Sequence, residues 1–167
     1  MKYLKYFENY IVIGDKLISQ KEINSILKGY LECALWTDEE YLKTQEIPKI
    51  DFNEDDTEDE MEDFEKMYKT PQQNFTIEDI DTNSLISTYN DIKKFIEYAG
   101  SEAVNYAINE NGYERLGFDI WLTRNGHGAG FFDHSYDDDI EKKLINAGKK
   151  LTEVHLYLTE ENKIIFE

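Results

Sequence analysis

The chain has one cysteine, two prolines and three histidines among its 167 residues, and each scarcity excludes something. With Cys33 alone, no intramolecular disulfide can form, so the fold must rest on its own core, and a reducing compartment is the expected setting. Leu31, Ala34 and Leu35 surround that cysteine and predict a buried thiol rather than a nucleophile. No apolar run approaches the roughly 18 residues that a membrane span needs. The start, Met1-Lys2-Tyr3-Leu4-Lys5, runs on to Glu8 and Asp15 without the apolar stretch of a signal peptide. These absences predict a soluble protein of the cytosol.

Basic residues are also scarce. Lys and Arg number 18 against 36 Asp and Glu, a formal net charge of −18. Such a surface repels nucleic acid and anionic membrane and attracts basic protein surfaces. The charge is uneven. Residues 1–36 carry +1, residues 37–80 carry −12 and residues 81–167 carry −7. The central stretch therefore holds two-thirds of the excess.

What is present suffices for one domain over 1–167, since 40% of the residues are hydrophobic and 14% aromatic. Tyr10-Ile11-Val12-Ile13 is β-branched and predicts an extended segment, followed by a turn at Gly14-Asp15. Ser19-Gln20-Lys21-Glu22 has the form of a capping box. Behind it Ile23, Ile26, Leu27, Tyr30, Leu31 and Ala34 recur at helical spacing, which predicts a helix over 20–36. From Thr37 the apolar pattern fades, and ten of the fifteen residues from Asp51 to Glu65 are acidic. A solvated or disordered insertion is expected over 43–74, because such a run cannot bury enough surface to offset ordering entropy. Leu85, Ile86, Tyr89, Ile92, Ile96 and Ala99 predict a second helix ended by Gly100, and a shorter one should run from Ser101 to a stop at Asn111-Gly112. Phe118–Thr123 and Gly130–Phe132 are expected as two strands joined through Arg124–Ala129. Ile140, Leu144, Ile145 and Leu151 line a further helix, for which Asp137-Asp138-Asp139 supplies a favourable acidic start. Val154, Leu156 and Leu158, with Lys163–Phe166, predict a terminal hairpin. The expected fold is α+β: an antiparallel sheet against three to four amphipathic helices, with an acidic central insertion.

Two segments carry candidate chemistry. Residues 51–62 place oxygen ligands at positions 1, 3, 5, 9 and 12 of a calcium loop, but Asp56 stands where that loop needs glycine and Glu58 where it needs an aliphatic residue. A solvated charge run explains them better, and no metal or cofactor is expected. The second segment, Trp121-Leu122-Thr123-Arg124-Asn125-Gly126-His127-Gly128-Ala129-Gly130-Phe131-Phe132-Asp133-His134, holds one of only two arginines. Hairpin-turn chemistry accounts for its glycines and asparagine, with Arg124 paired to a nearby carboxylate and His127 capping the turn. The functional alternative is a loop that presents Arg124, Asn125 and His127, beside a pocket lined by Trp121 and Phe131. His127, Asp133 and His134 lack any recognised metal spacing, the glycines match no phosphate-binding fingerprint, and no residue sits in a nucleophile motif. No catalytic residue is assigned.

Phe118-Asp119-Ile120-Trp121-Leu122-Thr123-Arg124-Asn125-Gly126-His127-Gly128-Ala129-Gly130-Phe131-Phe132-Asp133 resembles the core motif of a family of small uncharacterised bacteriophage and prophage proteins. The resemblance extends to Tyr30–Trp36, Ile77–Ile80 and Val154–Leu158, and excludes the acidic insertion. It implies a viral product in a bacterial cytosol and carries no assigned reaction. Charge and setting together favour an acidic binding protein that inhibits or modulates a host nucleic-acid-processing or defence protein, with imitation of DNA as the expected mode. The expected contact residues are Asp51, Glu54, Asp55, Asp56, Glu58, Asp59, Glu60, Glu62 and Asp63, with Trp121, Arg124, Asn125 and His127 from the loop. The expected partner is a basic, nucleic-acid-binding host protein, with neither nucleic acid nor membrane bound directly. The alternative is a small-ligand-binding protein or enzyme that uses the 121–134 loop.

Overall fold

The computed structural model describes residues 10–13, 16–46 and 75–167. The predicted Gly14-Asp15 turn and nearly all of the predicted acidic insertion, including Asp51–Asp63, lie outside the described residues.

Strands β1 (Tyr10–Ile13) and β2 (Lys16–Ser19) form an antiparallel pair, with Tyr10 opposite Ser19. Ser19 then caps α1 (Gln20–Glu46) through the predicted box. The Glu22 carboxylate accepts from Ser19 N–H at 2.7 Å, and Ser19 Oγ accepts from Glu22 N–H at 3.4 Å. The helix does not stop at 36 as the apolar pattern predicts. Its next turns are held by the fully buried Leu42 and by Thr37, whose hydroxyl accepts the Trp121 indole N–H at 2.8 Å.

A single 3-10 turn (Ile77–Asp79), closed by a Thr76–Asp79 capping box, leads to α2 (Thr82–Ala99). Asp81 caps that helix and Gly100 ends it. Helix α3 (Ser101–Arg124) changes direction at Gly112, whose φ of +83° interrupts the helical backbone, so the predicted stop is a kink between two helical halves. Helix α4 (Asp138–Lys150) begins with Asp138 and Asp139 in its first turn and ends on Lys149 and Lys150, a charge order that suits the helix dipole. Strands β3 (Leu156–Leu158) and β4 (Ile164–Phe166) form the predicted terminal hairpin, and Ile164 adds a parallel bridge to Ile80.

The class is α+β, with helices supplying most of the core and two small antiparallel sheets at its margins. The two central strands predicted from the sequence do not form. Phe118–Thr123 is not a strand but the last turns of α3, and Phe131–Asp133 is a 3-10 turn. Leu116, Gly117 and every residue from Asp119 to Arg124 are buried, so the last turns of this helix are enclosed. Without a polar face they have no helical periodicity, and a short apolar run then looks like a buried strand.

Helix α3 reaches that position by pressing its backbone onto α1. A Cβ on Gly117 would lie 1.9 Å from Ile26 O, and one on Gly29 would lie 1.9 Å from Glu114 O. Around this contact Tyr30 meets Trp121 edge to face at 5.3 Å, and Phe95 of α2 stacks on Phe131 at 5.5 Å. Cys33 is fully buried beside them, and burial pushes its thiol pKa up to about 12. No helix among the described residues is long and apolar enough to cross a membrane.

Candidate functional site

The polar segment Arg124–His134 begins as the end of α3. Asn125 N–H donates to Trp121 O at 3.1 Å, and His127 N–H reaches back five residues to Leu122 O at 3.1 Å. Gly126 lies between them with φ +67°. This is a Schellman-type helix stop, in which a left-handed residue at C′ lets the following N–H satisfy a last-turn carbonyl. Asn-Gly is therefore a helix terminator here rather than a hairpin turn, and both structures ask for the same positive φ.

Arg124 does not face outward. Its side chain is 3% exposed, and all three guanidinium nitrogens are engaged. Nε donates to Thr152 O at 2.7 Å, Nη1 to the Tyr30 hydroxyl at 2.6 Å, and Nη2 pairs with Asp91 Oδ2 at 3.0 Å. The group thus ties α3 to α1, α2 and the approach to β3. Tyr30 is pushed to a higher pKa by its burial, against the pull of the adjacent Arg124 charge. Asn125 spans a gap in the same way: its Nδ2 donates to Trp121 O at 3.3 Å and its Oδ1 accepts from Val154 N–H at 3.0 Å.

These contacts correct the predicted presentation of the loop. Trp121 is fully buried, Arg124 is inside, and Asn125 is half-buried with both ends of its amide used. Among these four predicted contact residues only His127 is exposed, its imidazole lying 6.4 Å from the Trp121 ring. Trp121 and Phe131, predicted to line a pocket beside the loop, are instead both fully buried core rings. A cleft of about 390 Å³ does adjoin the loop, but Thr123, Arg124, Gly126, Lys149, Lys150 and Thr152 are among its lining.

The remainder of the motif closes the loop onto α3. Thr123 Oγ1 accepts from Phe131 N–H at 3.2 Å, and Asp133 Oδ2 accepts from Gly130 N–H at 3.3 Å. His134 Nε2 lies 2.7 Å from Asp119 Oδ2, and Arg115 Nε is 2.9 Å from Asp119 Oδ1. Asp119 is 1% exposed, and desolvation raises its pKa against the opposing pull of Arg115 and His134. His134 stacks on Tyr136, whose hydroxyl accepts from Asn111 Nδ2 at 2.6 Å. A buried carboxylate bonded to an imidazole is half of an acid–base device. Among the described residues, however, no hydroxyl or thiol hydrogen-bonds to His134. Nor do the described residues contain a cluster of three His, Cys, Asp or Glu able to hold a metal.

Sequence reasoning missed Asp91, Arg115 and Asp119 as polar partners. Arg115 and Asp119 are an i,i+4 pair, a signal that exists only once the segment is known to be helical. Also missed was a second cleft, of about 400 Å³, where Thr37, Asp38 and Tyr41 of α1 face His155 and Tyr157. Compared with known families, curated proteins and solved structures, the chain has no match in any of the three.

Proposed function

We propose that this protein binds and inhibits or modulates a host nucleic-acid-processing or defence protein, with its central acidic residues occupying a basic surface that otherwise meets nucleic acid. The observation that carries this reading is the −12 on residues 37–80, set against a net of only −6 on the rest of the chain. The described loop residues support it indirectly, because Trp121, Arg124 and Asn125 are spent on internal contacts and leave little for chemistry. The resemblance of residues 118–133 to bacteriophage proteins supports a bacterial host as the source of such a partner. The contact residues on this reading are Asp51, Glu54, Asp55, Asp56, Glu58, Asp59, Glu60, Glu62 and Asp63.

A charge-steered complex weakens with salt, since the Debye length falls from about 10 Å at 0.1 M to about 3 Å at 1 M. The test is capture of basic partners from bacterial lysate at both ionic strengths, followed by elution with duplex DNA. Retention at low salt, loss at high salt and displacement by DNA are expected. Failure to retain any basic protein at low salt rejects the reading.

A further inference from the structure

The cleft between α1 and β3 combines aromatic surface with a carboxylate that has no basic partner among the described residues. Asp38 and Tyr41 stand three residues apart and so share a face of α1, while Tyr157 faces them from β3. The two tyrosine rings meet nearly at right angles, 77° between planes, with centroids 6.4 Å apart. Tyr41 is 49% exposed and Tyr157 is half-buried, so the corner opens to solvent. Asp38 accepts the Thr37 hydroxyl at 3.1 Å, and no described lysine, arginine or histidine pairs with it. His155 commits its backbone to Glu167 and holds an exposed imidazole at the margin.

Four other described rings carry a cation. Lys93 stands over Tyr89, Arg115 over Phe118, Lys149 over Phe132 and Lys150 over Tyr98, with the charge 5.1 to 5.8 Å from the ring centre. No described cation stands over Tyr157, although the adjacent Asp38 would favour one. Ring quadrupole and carboxylate attract the same class of group, an organic cation. Between arginine and lysine, arginine suits the site better. Its planar guanidinium stacks on a ring and forks onto a carboxylate at once, whereas an ammonium is a strongly hydrated point charge.

We propose that the cleft formed by Asp38, Tyr41 and Tyr157 seats the guanidinium of an arginine presented by the basic partner, an inference that rests on the partner-binding reading above. The arginine supplies orientation to a complex whose attraction is otherwise diffuse. It lies against Tyr157 with its nitrogens toward the Asp38 carboxylate.

The test needs no partner. Doubly capped arginine is titrated into the full chain at millimolar concentration while the Tyr157 and His155 side-chain resonances are followed by NMR. Saturable shifts at both residues are expected, weaker shifts with capped lysine, and none with capped citrulline, the neutral isostere. Asp38→Asn should weaken capped arginine about tenfold, roughly the loss of one charge-assisted contact. Tyr157→Leu, which keeps an apolar residue in the hairpin, should weaken it similarly with the circular dichroism spectrum unchanged. Equal shifts with citrulline, equal affinity for lysine, or an Asp38→Asn titration matching the parent would each overturn the proposal. Because no partner is present, a failed titration leaves salt-dependent capture untouched, and a failed capture leaves the titration untouched.

Discussion

Arg124 and Asp91 form an ion pair at 3.0 Å in which both side chains are largely withdrawn from solvent, joining the end of α3 to the middle of α2. Two ions removed from water are stable only while each has its partner. Asp91 keeps a second cation in Lys94, also at 3.0 Å, but that lysine is half-exposed and contributes less.

Arg124→Met should therefore destabilise the fold rather than disable a surface. The loss expected on breaking a buried pair is about 3–5 kcal/mol, and it includes the unpaired Tyr30 hydroxyl and Thr152 carbonyl. Urea unfolding measures it as a lower midpoint. Arg124→Lys should recover little, because one ammonium cannot reach three acceptors on three elements. Adding Asp91→Leu to Arg124→Met should cost less than the two single changes summed, since no uncompensated charge remains. Additive losses would show that the pair is not coupled.

The glycines of the loop should rank by what a side chain would meet. Gly126, with φ +67°, and Gly128, with φ +71°, have open space where a Cβ would stand, so alanine meets only the left-handed backbone penalty of about 1–2 kcal/mol. Gly128→Val adds β-branching and should reach about 1–3 kcal/mol. Gly130 is worse: its φ is +99°, and a Cβ would sit 2.7 Å from Thr123 Oγ1 and 3.0 Å from Asp119 O. Gly130→Ala should thus be the most damaging of the three alanine changes, and thermal melting of the three variants gives the order. Gly126→Asn should be nearly neutral, because asparagine also serves at a helix C′ position.

How much of this was legible depended on whether a helix kept a solvent face. Helices 20–36, 82–99 and 138–150 alternate buried and exposed residues, and Ile23, Leu27, Ile92, Ile96, Ile140 and Leu144 mark their inner faces in the sequence itself. The run Ile120-Trp121-Leu122-Thr123 carries no such contrast because α3 is wrapped by α1, α4 and the 125–134 loop. The turn reading already pairs Arg124 with a nearby carboxylate, but which carboxylate, and that the pair is buried, were unreadable for a related reason. Sequence assigns charge to the surface by default, and only tertiary structure shows that Asp91, Tyr30 and Thr152 converge on Arg124. The Asp38–Tyr157 cleft joins residues more than a hundred positions apart, beyond the reach of any local pattern.

Stability should fall on the alkaline side. Cys33 ionises near 9.0 in an unfolded chain and at about 12 in the folded one, and Tyr136 near 10.0 and about 12, both because burial penalises the charged form. Each acid keeps its proton in the folded state after the unfolded state has lost its own, so the unfolded state gains relative stability as pH rises. The loss begins near pH 9 for Cys33 and near pH 10 for Tyr136, and grows until about pH 12. Urea midpoints taken at intervals from pH 8 to 11 should decline accordingly. Cys33→Ala should be less stable at pH 8, through lost packing, yet show a shallower decline. In the native protein at pH 8, Cys33 should also resist a thiol reagent until urea opens the core.

Removal of residues 50–66 separates the acidic charge from the rest of the molecule. The cut takes away all ten acids of the Asp51–Glu65 run and touches none of the described elements. Shortening a closed loop changes its closure entropy only logarithmically, about 0.6 kcal/mol per halving. Relief of repulsion among ten like charges acts in the same stabilising direction. The deletion variant should therefore retain its circular dichroism spectrum and melt at the same temperature or slightly higher. On the partner-binding reading it should lose salt-sensitive capture of the basic partner, while capped arginine still titrates Tyr157, because Asp38 and Tyr41 lie outside the deleted stretch. A deletion variant that captures its partner as well as the parent does would falsify the charge-mimic reading and move the functional surface to the remaining residues. The exposed His127 and the Asp38–Tyr157 cleft would then be the places to mutate first.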